Sequence, residues 1–173
     1  LNENQKAINY FEKAIQIKPD FVEAHYNIGV LFTGIEEYQK AISCFEKVIQ
    51  IKPDYVKSYF YLGVIFQELK NYQKAINYYE KVIKIQPNYV DAYNNLGILH
   101  NQLGEYRKAM SCFEKAVKIE PKNAGAQNNL GFVFKELGEY LKVEGGPRRG
   151  LVQDRHSGIT KYRTEKLVIR RNY

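Results

Sequence analysis

The chain has no tryptophan, one methionine, two cysteines and five prolines in 173 residues. Each scarcity narrows the reading. No uninterrupted apolar run reaches the length of a membrane span, about 18 residues or more, so no membrane association is expected. No GxxxxGK[ST], G-x-S-x-G or H-E-x-x-H pattern and no paired-carboxylate arrangement occurs, so no catalytic residue, cofactor or metal site is expected. "EGGPRRG" is glycine-rich but lacks the phosphate-loop pattern and follows no strand. No signal peptide opens the chain. It begins at Leu1, so it reads as a fragment of a longer protein, with a cytoplasmic location expected. Apolar and charged fractions of 45% and 26% are ordinary for a soluble globular domain.

The few prolines are ordered. Pro19, Pro53, Pro87 and Pro121 follow one another at 34-residue steps, and only Pro147 breaks the series. Ala7, Ala41, Ala75 and Ala109 keep the same step, as do Gly29, Gly63, Gly97 and Gly131. A fixed internal period of this length sets the architecture before any local reading is made.

Inside one unit the apolar spacing is helical: Ile28, Leu31 and Phe32 fall at i, i+3 and i+4, and Ala41, Cys44, Phe45 and Val48 resume the pattern after a break. Two helices per unit follow, near 4–18, 22–34, 38–51, 56–69, 72–85, 90–103, 106–119 and 124–137. One break lies at Gly34-Ile35-Glu36 and the other at the proline, whose preceding residue is pushed out of helical geometry. Asp20, Asp54 and Asn88 are the expected N-caps, with Glu23 completing a capping box after Asp20, while the fourth unit has Lys122-Asn123. A mid-helix glycine costs about 1 kcal/mol relative to alanine. Gly29 and its equivalents are therefore expected to give close approach to the partner helix, at Ala41 in the first case.

Tyr59-x-x-Leu62-Gly63-x-x-Phe66, followed by Tyr72, Ala75, Tyr79, Val82 and Pro87, resembles the tetratricopeptide repeat, TPR. The units are similar to bacterial TPR arrays and to the TPR arm of O-linked N-acetylglucosamine transferase. The resemblance spans residues 1–140 as a second helix alone (1–21), three full units (22–55, 56–89, 90–123) and a first helix alone (124–139). It implies an all-α, right-handed α-solenoid. Position four holds His25, Tyr59, Tyr93 and Gln127 where the family favours tryptophan, and the gap-turn glycine survives only as Gly104 and Gly138.

The net charge of +7 is unevenly placed. Residues 1–140 carry 17 Lys and Arg against 16 Asp and Glu; residues 141–173 carry nine against three. Repeat character stops after Tyr140, where Gly145-Gly146-Pro147 interrupts any further helix. The segment 141–173 reads as a non-repeat basic tail, disordered, with RNA or acidic-surface binding as the alternative and a short strand at "KLVIRR" as a further one.

Cys44 and Cys112 share one repeat position two units apart, and units advance by roughly 8–10 Å, beyond the reach of a disulfide, which ends near ~7 Å. Both read as reduced packing residues. His25 and His100 fall where the family packs aromatics, and read as structural rather than metal-binding.

What remains is surface. In TPR arrays the first helices line a concave face, and the resemblance places on it Tyr26, Asn27 and Val30; Phe60, Tyr61 and Val64; Asn94, Asn95 and Ile98; and Asn128, Asn129 and Phe132. Position two adds Glu23, Lys57, Asp91 and Gly125. Such a groove is aromatic, amide-rich and little charged. Asparagine amides offer both donor and acceptor and can hold an extended peptide backbone.

Three classes of function are therefore carried forward: a non-catalytic scaffold binding an extended peptide or partner segment in the groove, a substrate-recruiting arm of a larger glycosyltransferase-like enzyme, and a nucleic-acid binder acting through the basic tail. End-to-end self-association through the unpartnered terminal helices is a further expectation.

Overall fold

Lys52, Gln86 and Glu120, each followed by a proline of the 34-residue series, have φ between −132° and −129° and ψ between 84° and 89°. The proline ring excludes its predecessor from the helical region, and the helix before it stops there. The computed structural model describes residues 3–143, 152–153 and 160–161. Eight helices are found among them: α1 Glu3–Ile17, α2 Val22–Gly34, α3 Tyr38–Ile51, α4 Val56–Glu68, α5 Tyr72–Ile85, α6 Val90–Gln102, α7 Tyr106–Ile119 and α8 Ala124–Val143. Connections alternate between four and three residues, too short for anything but packing each helix back on its predecessor. From α1 to α7 each helix packs on the next, and α2 also meets α4.

The three-residue turns within the units share one device. Glu36, Lys70 and Gly104 occupy the same register with φ of 61°, 57° and 73°. The next amide then reaches back into the helix: Glu37 N to Phe32 O at 2.9 Å, Asn71 N to Phe66 O at 2.8 Å and Glu105 N to His100 O at 2.8 Å. This left-handed closure satisfies carbonyls that a helix end otherwise leaves open.

The starts differ from expectation. The N-cap residues of α2, α4 and α6 are Phe21, Tyr55 and Tyr89, one residue later than Asp20, Asp54 and Asn88, and none makes a side-chain capping bond. Position-four side chains reach back over three of the starts: His25 Nε2, Tyr59 OH and Gln127 Nε2 lie 2.9, 2.9 and 3.2 Å from the carbonyls of Pro19, Pro53 and Pro121. Asparagine side chains cap two other starts: Asn71 Oδ1 accepts from Lys74 N at 3.3 Å at α5, and Asn123 Oδ1 from Ala126 N at 2.9 Å at α8. His25 is thus structural. His100 is too: it is buried, with Nδ1 2.6 Å from Glu105 Oε2.

The core repeats with the sequence. Ala41, Ala75 and Ala109 are fully buried, followed four residues on by the rings of Phe45, Tyr79 and Phe113. These rings, and not the alanines, are what the glycines receive. A Cβ placed on Gly29, Gly63 or Gly97 would come within 2.8, 2.6 and 2.6 Å of the Phe45, Tyr79 and Phe113 rings. A ring needs the space a side chain would fill, and burying one stabilises by roughly 1.5–3 kcal/mol, enough to outweigh the cost of glycine. A Cβ on Gly131, on α8, would meet no described atom within 4 Å beyond its own stretch of helix.

Two compact units divide the chain, residues 1–135 and 136–173. The first holds α1 to α7 and most of α8. The second contains the end of α8 and two short antiparallel strands, β1 Val152–Gln153 and β2 Thr160–Lys161, with Val152 opposite Lys161. Helix α8 does not turn at Gly138 as expected but continues to Val143; Gly138 has no positive φ. The readings of 141–173 as a disordered tail and of "KLVIRR" as a strand lie otherwise outside the described residues.

Candidate functional site

The first helices of the units, α2, α4, α6 and α8, carry the expected groove residues at equivalent positions, and packing fixes their side chains unequally. Val30 packs on the cluster of Ala41, Phe45 and Leu62, Val64 on that of Ala75, Tyr79 and Leu96, and Ile98 on that of Ala109, Phe113 and Val133. These three serve the core as much as the surface. Phe132, on α8, is 49% exposed.

Tyr26, Phe60 and Tyr61 join a continuous strip of rings. Tyr26 lies 5.3 Å from Tyr55 and 5.8 Å from Tyr61, edge to face in the second case. Tyr61 stacks on Phe45 at 5.2 Å and meets Phe60 at 6.2 Å, and Phe60 reaches Tyr89 at 5.2 Å. Such pairs add about 0.5–1.5 kcal/mol each beyond their burial. Tyr55 and Tyr89 did not figure in the sequence reading. Their signal was the register: both stand two residues after a repeat proline, as does Phe21.

The Tyr26, Tyr55 and Tyr89 hydroxyls stay neutral. Burial raises the Tyr26 pKa, helped by the charge of Tyr61 and its hydrogen bond. Burial is also the main cause for Tyr55 and Tyr89, followed by Glu23 and Asp91 respectively. Tyr55 and Tyr89 therefore remain protonated throughout the neutral range, while the Tyr26 hydroxyl is already bonded to Tyr61.

The asparagines separate into two kinds. Asn95 Nδ2 donates to the Tyr79 hydroxyl at 3.1 Å, which itself donates to Gln67 Oε1 at 3.1 Å, so Asn95 ties α6 to α5 and α4. That amide has an internal partner and is not simply a groove donor. Asn27 and Asn129 are half-buried and Asn128 is exposed. Asn94 Oδ1, and Asn101 Oδ1 seven residues along α6, are buried with no hydrogen-bond partner among the described residues. A buried acceptor in that state costs about 1–3 kcal/mol until something donates to it.

Charge is sparse. Of the position-two residues only Lys57 is cationic, and it is exposed, like Glu23 and Asp91. Both cysteines are half-buried and free, with burial raising each thiol to about 11. No group of three potential metal ligands occurs among the described residues, and none of their helices is long and apolar enough to cross a membrane.

Family models described as tetratricopeptide repeat match residues 22–55, 56–89, 90–123 and 112–144, and one described as TPR repeat matches 1–34. The chain belongs to the tetratricopeptide repeat family. The matched units coincide with the helix pairs α2–α3, α4–α5 and α6–α7 of this TPR array, and the residues expected to line a groove stand on the first helix of each pair. No curated protein matches the sequence. Among solved structures, a crystal structure of MamA is 26% identical with a TM-score of 0.70, over 79% of this chain and 79% of that one. The first TPR of Spaghetti (RPAP3), bound to HSP90 peptide SRMEEVD, is 20% identical with a TM-score of 0.64, over 68% of this chain and 93% of that one. The TPR domain of Arabidopsis OM64 is 24% identical with a TM-score of 0.63, over 66% and 94%. The last two likenesses show the fold alone.

Proposed function

We propose that this TPR chain is a non-catalytic protein-interaction scaffold that holds an extended, largely uncharged segment of a partner in the groove of α2, α4, α6 and α8. The observation that carries this reading is the strip of rings from Tyr55 through Tyr26, Tyr61 and Phe60 to Tyr89, continued on α6 and α8 by amides. Flat rings give contact area at low conformational cost, and amides hold a backbone without reading side chains. A related fold seated on a peptide, the RPAP3 repeat with SRMEEVD, supports the use of such a surface for peptides.

The test is selection of peptides from a random library against the whole chain, followed by binding to an Asn27→Ala/Asn129→Ala variant. Neither asparagine stands in the Gln67–Tyr79–Asn95 network, so helicity should be unchanged. Selected peptides should lose about 1–3 kcal/mol of affinity where backbone hydrogen bonds go. Peptides that keep full affinity bind elsewhere, and the groove reading is then wrong.

A further inference from the structure

Helix α1 has the register of a second helix and α8 that of a first helix, and among the described residues neither is paired with the other half of a unit. Their contact faces are open to match. Gly29, Gly63 and Gly97 are buried under the rings of Phe45, Tyr79 and Phe113, whereas Gly131 is exposed, and a Cβ on it would meet no described atom within 4 Å beyond its own stretch of helix. Beside it Leu130 is half-buried, where Leu62 and Leu96 are buried. On α1 the rings have a counterpart in Phe11, which is half-buried, while Phe45, Tyr79 and Phe113 are at most 1% exposed. Ile17 is 86% exposed where Ile51 and Ile85 are half-buried. One helix thus holds a seat without a ring, and the other a ring without a seat.

The residues on the two faces decide what fits. Helix α8 carries Asn128-Asn129-Leu130-Gly131, the same four residues as Asn94-Asn95-Leu96-Gly97 of α6. Helix α1 carries Phe11-Glu12-Lys13-Ala14, the same four as Phe113-Glu114-Lys115-Ala116 of α7. In the pair α6 and α7 these two stretches meet, with the Phe113 ring in the space that a Cβ on Gly97 would need. Placing α1 of a second copy on α8 therefore repeats a contact the chain already makes once, with identical residues on both sides. Like faces do not fit each other. Two α8 faces bring glycine to glycine and leave a void, and two α1 faces bring ring to ring with no recess, while stable packing needs each volume filled once.

We infer that copies of this chain join head to tail, α1 of one docking on α8 of the next with Phe11 seated at Gly131. The contact is heterologous, since it uses a different face of each copy, and every joined pair keeps one seat and one ring for further copies. Stacked repeats bury their apolar faces only against neighbours, and here the neighbour is the next chain. This goes beyond the groove reading and does not depend on it.

The test is sedimentation of the whole chain from micromolar to millimolar concentration. The average mass should rise past that of two chains. Gly131→Leu fills the seat, and Phe11→Ala removes the ring while keeping a strong helix former in α1. Each variant alone should associate about tenfold more weakly or less, as for loss of a buried aromatic anchor. Mixed in equal amounts, the two should form dimers and stop there, because one retains only the ring and the other only the seat. Phe11→Tyr should associate like the unaltered chain, since Tyr79 fills the same place beside Gly63. Circular dichroism in dilute solution should show both variants as helical as the unaltered chain, which separates lost docking from lost folding. An unaltered chain that stays single at millimolar concentration overturns the inference. So does either variant that dimerises alone as well as the unaltered chain does, or a mixture of folded variants that does not associate. The groove reading rests on peptide binding to the Asn27→Ala/Asn129→Ala variant and survives any of these results.

Discussion

Asn95 and Tyr79 are hydrogen-bonded, amide to hydroxyl at 3.1 Å, and the hydroxyl exists in only one of three equivalent units, since Phe45 and Phe113 fill the same place elsewhere. Tyr79→Phe keeps the ring against Gly63 but removes the oxygen that joins Gln67 to Asn95. It should cost about 1–2 kcal/mol, because two partly buried polar groups lose a partner at once. Asn95→Ala should cost less, and the double variant little more than Tyr79→Phe alone. Additive losses in denaturant unfolding would show that the pair does not act together.

Gly97 and Gly131 share a register and not an environment. A Cβ at Gly97 would stand 2.6 Å from the Phe113 ring, whereas no described atom lies within 4 Å of one at Gly131. Gly97→Ala should destabilise by about 1–3 kcal/mol through overpacking. Gly131→Ala should stabilise by up to about 1 kcal/mol through helix propensity alone. Thermal melting of the two variants checks both signs; a loss at Gly131 would mean that another surface, such as a second copy of the chain, covers that face of α8.

Much of this fold was legible because three ladders of alanine, glycine and proline keep one period, and punctuation by proline is local physics. Seven of the eight helices end within a residue of the expected position. The errors lay where a neighbour in space decides. The glycines face rings four residues beyond the alanines, a matter of which turn of the partner helix comes closest. The expected caps Asp20, Asp54 and Asn88 fall one residue before the observed N-caps Phe21, Tyr55 and Tyr89, whose side chains make no capping bond. In the groove, Tyr26, Phe60 and Tyr61 were visible as residue types at a repeated position. The internal partner of Asn95 was not, since it depends on one hydroxyl in a neighbouring unit.

The register also marks two improvable positions. Ser58 is fully buried, its Oγ without a partner among the described residues, where the other units have Ala24, Ala92 and Ala126. Ser58→Ala should raise stability by about 1 kcal/mol by removing a desolvated hydroxyl. Lys70 has φ of 57° where the third unit has Gly104. Lys70→Gly should gain about 1 kcal/mol by relieving left-handed backbone cost. Gains that add within error in urea unfolding would confirm two independent local causes.

Stability should fall in alkali. Burial raises the Tyr26 and Tyr79 hydroxyls above the ordinary 10 and Cys44 and Cys112 to about 11. Above about pH 9 the unfolded chain releases these protons while the folded chain retains them, so folding is opposed as pH rises. The contribution is complete below the unfolded values and is lost through the folded ones. The melting temperature should therefore be level from neutral pH to about pH 9 and decline beyond it. Tyrosinate absorbance should lag behind free tyrosine until unfolding. A chain equally stable well above pH 11 would contradict the burial of these groups.

An acidic peptide such as the SRMEEVD bound to RPAP3 should not be held by the proposed groove. SRMEEVD presents three acidic side chains besides its terminal carboxylate. Holding it requires cations converging from several first helices, and at position two of α2, α4 and α6 stand Glu23, Lys57 and Asp91. One exposed lysine gives about 0–1 kcal/mol in an ion pair, while two exposed carboxylates beside it repel the ligand. Even millimolar affinity needs about 4 kcal/mol, several times what Lys57 supplies. Titration of SRMEEVD into the chain should show no saturable binding up to about 1 mM, and Lys57→Ala should leave binding of a neutral groove peptide within about twofold. Tight binding of SRMEEVD that disappears in Lys57→Ala would overturn the assignment of an uncharged ligand.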